Sequence, residues 1–116
     1  MNEYPSYRFM QDAKVALPKG WVKLGSAMID EFQNAEEQGL LPDDFRVLAV
    51  CEEFGRLRVP CLSAPRLINN LLAGFKSQAQ MTCQDCGYYP AYLSRRGAWL
   101  RTLCCFCKDR QGYQRT

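Results

Sequence analysis

From Trp21 onward, apolar residues recur three or four places apart, at Trp21, Leu24, Met28, Phe32 and Ala35. That period stacks side chains on one helix face, so the pattern predicts a helix over about 22–38. Asp30, Glu36 and Glu37 fall on its wet side, and Gly39 followed by Pro42 stops it. At Phe45 the pattern changes to the β-branched, apolar run Phe45-Arg46-Val47-Leu48-Ala49-Val50-Cys51, which predicts a strand. Arg56-Leu57-Arg58-Val59 then alternates at period two, with Leu57 and Val59 inward and Arg56 and Arg58 outward. A reversal at Phe54-Gly55 joins the two runs into a β-hairpin and pairs residues whose numbers sum to 109.

Ser63-Ala64-Pro65 resembles a helix start, with Ser63 as the cap and Pro65 in the first turn. The apolar positions Leu67, Ile68, Leu71, Leu72, Phe75 and Ala79 predict a second amphipathic helix over about 64–80. Residues 1–20, carrying Tyr4, Tyr7 and Phe9, read as an extended arm that packs by its aromatics. The fold class expected is α+β, with a helix, β-hairpin, helix core over residues 21–81.

The last third of the chain is organised by cysteine. Cys83, Cys86, Cys104 and Cys107 form the pattern C-x2-C-x17-C-x2-C, the spacing of a four-cysteine zinc ribbon. Two residues between cysteines let a tight knuckle turn both sulfurs toward one ion. Gly87, directly after the second cysteine, tolerates the positive φ such a turn requires. The residues between the pairs are long enough for a hairpin that sets a second knuckle opposite the first. The reading is a ribbon over 82–110 holding one structural Zn2+, with 111–116 as a tail. Four thiolates close the coordination shell and leave no position for substrate. Iron in place of zinc, or two redox-active C-x-x-C pairs, are the alternatives.

Cys105 adjoins a ligand and points elsewhere. Cys51 and Cys61 sum to 112, so they do not face one another across the hairpin, and they read as small buried hydrophobes without a disulfide.

With 116 residues, 47% of them apolar, the chain has the composition of one small globular domain. It contains no histidine, which excludes Ser-His-Asp and Cys-His catalysis and the histidine-dependent metalloprotease and deaminase motifs. No catalytic constellation is left, and no small-molecule substrate is evident. No apolar run is long enough to span a membrane, and the first residues lack a secretory pattern. An odd cysteine count with two close pairs suits thiolate ligands in a reducing cytoplasm.

The net charge of +3 is unevenly distributed: residues 1–60 hold 7 Lys+Arg against 10 Asp+Glu, and residues 61–116 hold 8 against 2. In the ribbon, Tyr88, Tyr89, Tyr92, Trp99 and Phe106 interleave with Arg95, Arg96, Arg101, Lys108 and Arg110. Aromatics that stack on bases beside arginines that meet phosphates are the inventory of a nucleic-acid binder. A ribbon has little interior, however, so two or three of these aromatics are expected to form its core.

The order of segments is itself distinctive. Gly20-Trp21 opens a helix, Glu53-Phe54-Gly55-Arg56-Leu57-Arg58 forms a hairpin, and Cys83-Gln84-Asp85-Cys86-Gly87 is followed by Gly97-Ala98-Trp99-Leu100-Arg101-Thr102-Leu103-Cys104 and Cys107. This resembles a group of small bacterial and bacteriophage proteins, with the likeness covering roughly residues 20–107. The resemblance implies a zinc ribbon on an α/β body and an origin in a phage or mobile element, and it implies no activity. The expected function is a non-enzymatic zinc-binding interaction protein whose ribbon contacts a host or phage protein. If the phage origin holds, the contact would modulate or inhibit a host machine such as a defence or transcription complex. The alternative is a regulator that binds DNA or RNA directly through Tyr88, Tyr89, Trp99 and the ribbon's cations.

Overall fold

A computed structural model describes residues 7–116. Helices and strands are mixed, and a four-cysteine cluster lies near the C-terminal end, as the α+β reading expects. The elements are β1 (Lys14–Ala16), α1 (Val22–Glu37), β2 (Arg46–Val47), β3 (Ala49–Glu53), β4 (Arg56–Arg58), β5 (Cys61–Leu62), α2 (Arg66–Ala79), β6 (Tyr92–Arg96), β7 (Trp99–Leu103), α3 (Cys105–Gln111) and β8 (Gln114–Arg115). Among the described residues no helix is long and apolar enough to cross a membrane.

The hairpin forms in the predicted register, Cys51 opposite Arg58, Glu52 opposite Leu57 and Glu53 opposite Arg56. Phe54 and Gly55 turn the chain with φ of 53° and 80°, and the Gly55 amide donates to the Glu52 carboxylate at 2.7 Å. Leu57 and Val59 are buried while Arg56 and Arg58 are exposed, as period two requires. On α1, Met28, Ile29, Phe32 and Ala35 face the core. They meet Phe9, Phe45, Val47, Val50 and, from α2, Ile68, Leu72 and Ala79. Phe9, Phe32 and Phe45 form a mutual cluster with ring centroids 5.4–6.2 Å apart.

Several expectations are corrected. Residues 7–20 are part of the body, not an arm laid over it: β1 pairs in parallel with β3, Lys14 to Ala49 through Ala16 to Cys51, giving a sheet of order β1-β3-β4. Phe9 and Met10 are fully buried, and the reading of Tyr4 lies outside the described residues. The run from Phe45 to Cys51 is two strands, because the chain steps sideways at Leu48. There its amide donates to the Pro60 carbonyl at 2.8 Å while its carbonyl accepts from Lys14 at 3.1 Å. Ser63 does not cap α2. It has φ 57° and its hydroxyl donates to Asp44 at 2.7 Å, so Pro65 precedes the first helical residue. Leu67 is turned outward, and Cys51 and Cys61 are half-buried at the sheet margins, without a disulfide.

Residues 82–116 make a second small unit with its own buried cluster of Cys83, Ala91, Leu103, Cys104, Cys107 and Tyr113. The presumed tail belongs to it, since β8 pairs with β6 to complete a sheet of order β7-β6-β8. The body and this unit give the molecule extents of 46 × 25 × 21 Å. Several hydrogen bonds join them, among them the Ala91 amide donating to the Met81 carbonyl at 2.9 Å. The Gly20 amide donates to the Gln84 carbonyl at 2.9 Å, the Trp21 indole N–H donates to the Thr82 carbonyl at 2.8 Å, and the Thr102 hydroxyl donates to the Gly55 carbonyl at 2.7 Å.

Candidate metal centre

The first cysteine pair sits on a knuckle whose backbone is closed by the Gly87 amide donating to the Cys83 carbonyl at 2.8 Å and the Cys83 amide donating to Tyr88 at 2.9 Å. Gly87 has the positive φ its position predicts, 85°. Gln84, between the ligands, is buried and bonds Thr102 twice: its amide donates to the Thr102 carbonyl at 2.9 Å, and its side-chain oxygen accepts from the Thr102 amide at 2.9 Å. The knuckle is thereby fixed to β7, the strand that delivers the second pair.

That second pair is not a mirror-image knuckle. Cys104 caps α3, its sulfur accepting from the Cys107 amide at 3.5 Å, and Cys107 lies in the first helical turn. One turn of helix brings residues three apart to the same side, which does the same geometric work as a knuckle. Gly112, with φ 74°, ends the helix.

The four Sγ atoms lie within 4.8 Å of one another, with Cys86 and Cys104 3.7 Å apart. An ion holding four sulfurs at about 2.3 Å sets neighbouring sulfurs about 3.8 Å apart in a tetrahedron. The donor set and the spacing therefore fit one tetrahedral, thiophilic ion such as zinc, held by Cys83, Cys86, Cys104 and Cys107. Cys83, Cys104 and Cys107 are buried and Cys86 is exposed, so solvent reaches the centre from one side.

The thiols do not behave alike. Burial opposes ionisation of Cys83, but backbone hydrogen bonds from Cys104, Cys86 and Asp85 outweigh it and bring its pKa down to about 7. Burial and then the neighbouring thiols Cys104, Cys86 and Cys83 push Cys107 well up. Cys86 is raised as well, by burial first. Sulfurs this close cannot all carry charge without a cation among them, the condition a bound metal removes.

A polar network surrounds the sulfurs. Arg110 donates to the Cys107 sulfur at 3.2 Å and lies 3.6 Å from the Asp85 carboxylate. Gln111 donates to the same carboxylate at 3.0 Å. Arg101 donates to the Gln111 side-chain oxygen at 2.7 Å and Arg96 to its backbone carbonyl at 2.9 Å. Asp85 on the knuckle and Gln111 at the end of α3 are thus tied together across the metal centre, a linkage the sequence reading missed. Its only signal was an acidic residue inside one C-x-x-C.

The basic residues singled out from sequence are accordingly divided. Arg96, Arg101 and Arg110 hold the unit together, Lys108 pairs with Asp109 at 2.7 Å, and the Arg95 side chain makes no hydrogen bond or ion pair among the described residues. The aromatics are corrected in the opposite sense. Tyr88, Tyr89, Tyr92, Trp99 and Phe106 are all exposed, Trp99 at 70%. The unit's core aromatic is Tyr113, with the Arg96 guanidinium 5.0 Å from its ring centroid. Cys105 is exposed at the start of α3, away from the cluster.

Compared with protein-family models, with curated proteins and with solved structures, the chain matches none.

Proposed function

We propose that this chain is a non-enzymatic, zinc-stabilised binding protein that acts through contact with another protein. One observation carries the reading: the cysteine unit builds its core from three cysteines, Ala91, Leu103 and Tyr113 and leaves its other large aromatics outside. Trp99 is joined by Phe54 from the β3–β4 turn, 69% exposed, and both line a cavity of about 320 Å3 with Ala98, Leu100, Glu52 and Glu53. Exposed tryptophan and phenylalanine beside a concavity are the groups that dominate binding energy at protein interfaces. The closed thiolate set gives the metal a structural role, and the lack of histidine removes the commonest acid–base catalyst.

The resemblance to small phage and bacterial proteins supports an origin in a phage or mobile element and a cytoplasmic host complex, such as a defence or transcription machine, as the target. The test is affinity purification of the full chain from its host beside the Trp99→Ser form, with quantitative mass spectrometry of what is retained. A complex recovered with the native chain and lost with Trp99→Ser supports the reading. Equal recovery of every protein by both would refute it.

A further inference from the structure

Beyond the Trp99 surface, and independently of it, the other side of the β6–β7 turn carries a second concavity, of about 490 Å3, lined by Arg95, Arg96, Gly97, Gln114, Arg115 and their neighbours. Three arginines and no Asp or Glu side chain line it, and the last residue, Thr116, is part of the lining. Two of the three guanidiniums are already fixed. Arg115 lies over the Tyr92 ring, 3.6 Å from the centroid, and Arg96 rests over Tyr113 while donating one N–H to Gln111. Arg95 pairs with Gln114 across the strands, and no internal bond engages its side chain.

A guanidinium held flat on a ring loses little freedom on binding and still presents N–H donors in the fork that matches a phosphate. Its plane also stacks on a nucleobase. Ordinary small-molecule pockets of this size are mostly apolar. A polar, arginine-lined cleft in the half of the chain with eight Lys+Arg against two Asp+Glu suits a polyanion that also offers flat surfaces.

We infer that the cleft between β6 and β8 binds the phosphodiester backbone of single-stranded nucleic acid, with Arg95 and Arg96 on phosphates and Arg115 as a stacking platform. The zinc unit and its β-sheet position these groups, while the metal itself makes no contact with the strand.

The experiment follows the fluorescence anisotropy of a labelled short oligothymidylate on the full, zinc-loaded chain across a salt series. Saturable binding that weakens steeply with salt is expected. Arg95→Gln should weaken it about tenfold, the loss of one charge-assisted contact. Arg95→Gln should also flatten the logarithmic salt slope by about 0.7, the share of one phosphate contact, whereas Arg115→Gln, which removes the stacking platform, should lower affinity with little change in that slope. Arg56→Gln, on the body, should change neither.

Removing Arg115 can loosen Tyr92, so zinc content and circular dichroism are measured alongside, and Arg95→Gln alone remains decisive. Five outcomes would overturn the inference: no binding at low salt, undiminished affinity in Arg95→Gln, an equal loss in Arg56→Gln, a duplex of the same length binding as tightly, or displacement by polyglutamate or tripolyphosphate as effective as by unlabelled oligothymidylate. The last two assign the cleft to duplex or to anions in general.

Discussion

A Cβ added to Gly20 would lie 2.1 Å from the carbonyl oxygen of Cys83, with the Gly87 nitrogen at 2.6 Å and the Gln84 carbonyl carbon at 2.8 Å. All three neighbours are backbone of the metal knuckle, so no side chain can swing away to make room. Gly20→Ala is therefore expected to force the body and the cysteine unit apart, costing about 3 kcal/mol in urea unfolding of the zinc-loaded chain. Gly74 provides the contrast. It lies in α2 with open space around it, and Gly74→Ala should stabilise by about 0.5–1 kcal/mol through helix propensity. Equal effects of the two substitutions would contradict this close approach of the body to the knuckle.

Metal content gives a second prediction. Native mass spectrometry should find one zinc per chain, absent from Cys83→Ser and Cys107→Ser, and loss of the ion should unfold residues 82–116. Iron would announce itself by visible absorption, which a zinc site lacks. Trp21 reports the event from the other side of the junction, because its indole donates to Thr82. In a Trp99→Phe background, chelation should shift Trp21 emission to the red.

Zinc uptake should depend on pH in a fixed direction. Cys86 and Cys107 have raised pKa values in the metal-free cluster, so binding must expel their protons, and apparent affinity falls as pH falls. With at least these two protons displaced, and the Cys83 proton as well below its pKa of about 7, the loss is at least about two decades per pH unit and steepens below neutrality. Competition with a chromophoric chelator between pH 6 and 8 measures it, and a flat profile would show that the thiols are not the ligands.

Arg8 supplies a prediction far from the metal. Its guanidinium forms a salt bridge with Glu36 and donates to the carbonyls of Asp43, Phe45 and Pro42 at 2.6, 3.3 and 3.1 Å, holding the loop after α1. The hydrogen bond from Arg8 lowers the Glu36 pKa below its ordinary value of 4.5. The stabilisation is present above that ordinary value and disappears as pH falls through the lowered one. Glu36→Gln should cost about 1 kcal/mol at pH 7, and the difference should vanish as pH falls through the lowered pKa and the carboxylate becomes neutral.

Thiol reactivity separates the remaining cysteines. Cys61 is half-buried, its sulfur 3.4 Å from the Val59 carbonyl, and burial raises its pKa to about 11. Cys105 is exposed. Brief alkylation of the zinc-loaded protein at neutral pH should modify Cys105 first and leave Cys61 unlabelled by peptide mass mapping.

Local patterns were legible in the sequence where the chain closes on itself over a short span. The hairpin register follows from one turn at Phe54-Gly55, the face of α1 from its period, and the metal ligands from their spacing. Illegible features depend on distant partners. Three residues, Lys14 to Ala16, carry no alternation that would announce a parallel strand, and β3 recruits them from thirty-five positions away. Cys104 and Cys107 satisfy the same spacing on a helix as on a knuckle. Charge alone could not divide the arginines, because Arg96 and Arg101 find their acceptors on Gln111, at the far end of α3. Aromatic content likewise could not say that Tyr113 fills the core and Trp99 does not.

The bond from the Trp21 indole to the Thr82 carbonyl spans 61 residues of sequence. A chain emerging from the ribosome can collapse α1 and the hairpin early, but burying Trp21 then leaves its N–H without an acceptor until Thr82 has been made. Synthesis of the body and arrival of the metal-binding end are therefore coupled. The last third of the chain completes the folding of the first, and a nascent chain truncated before the knuckle carries its largest buried side chain unfinished.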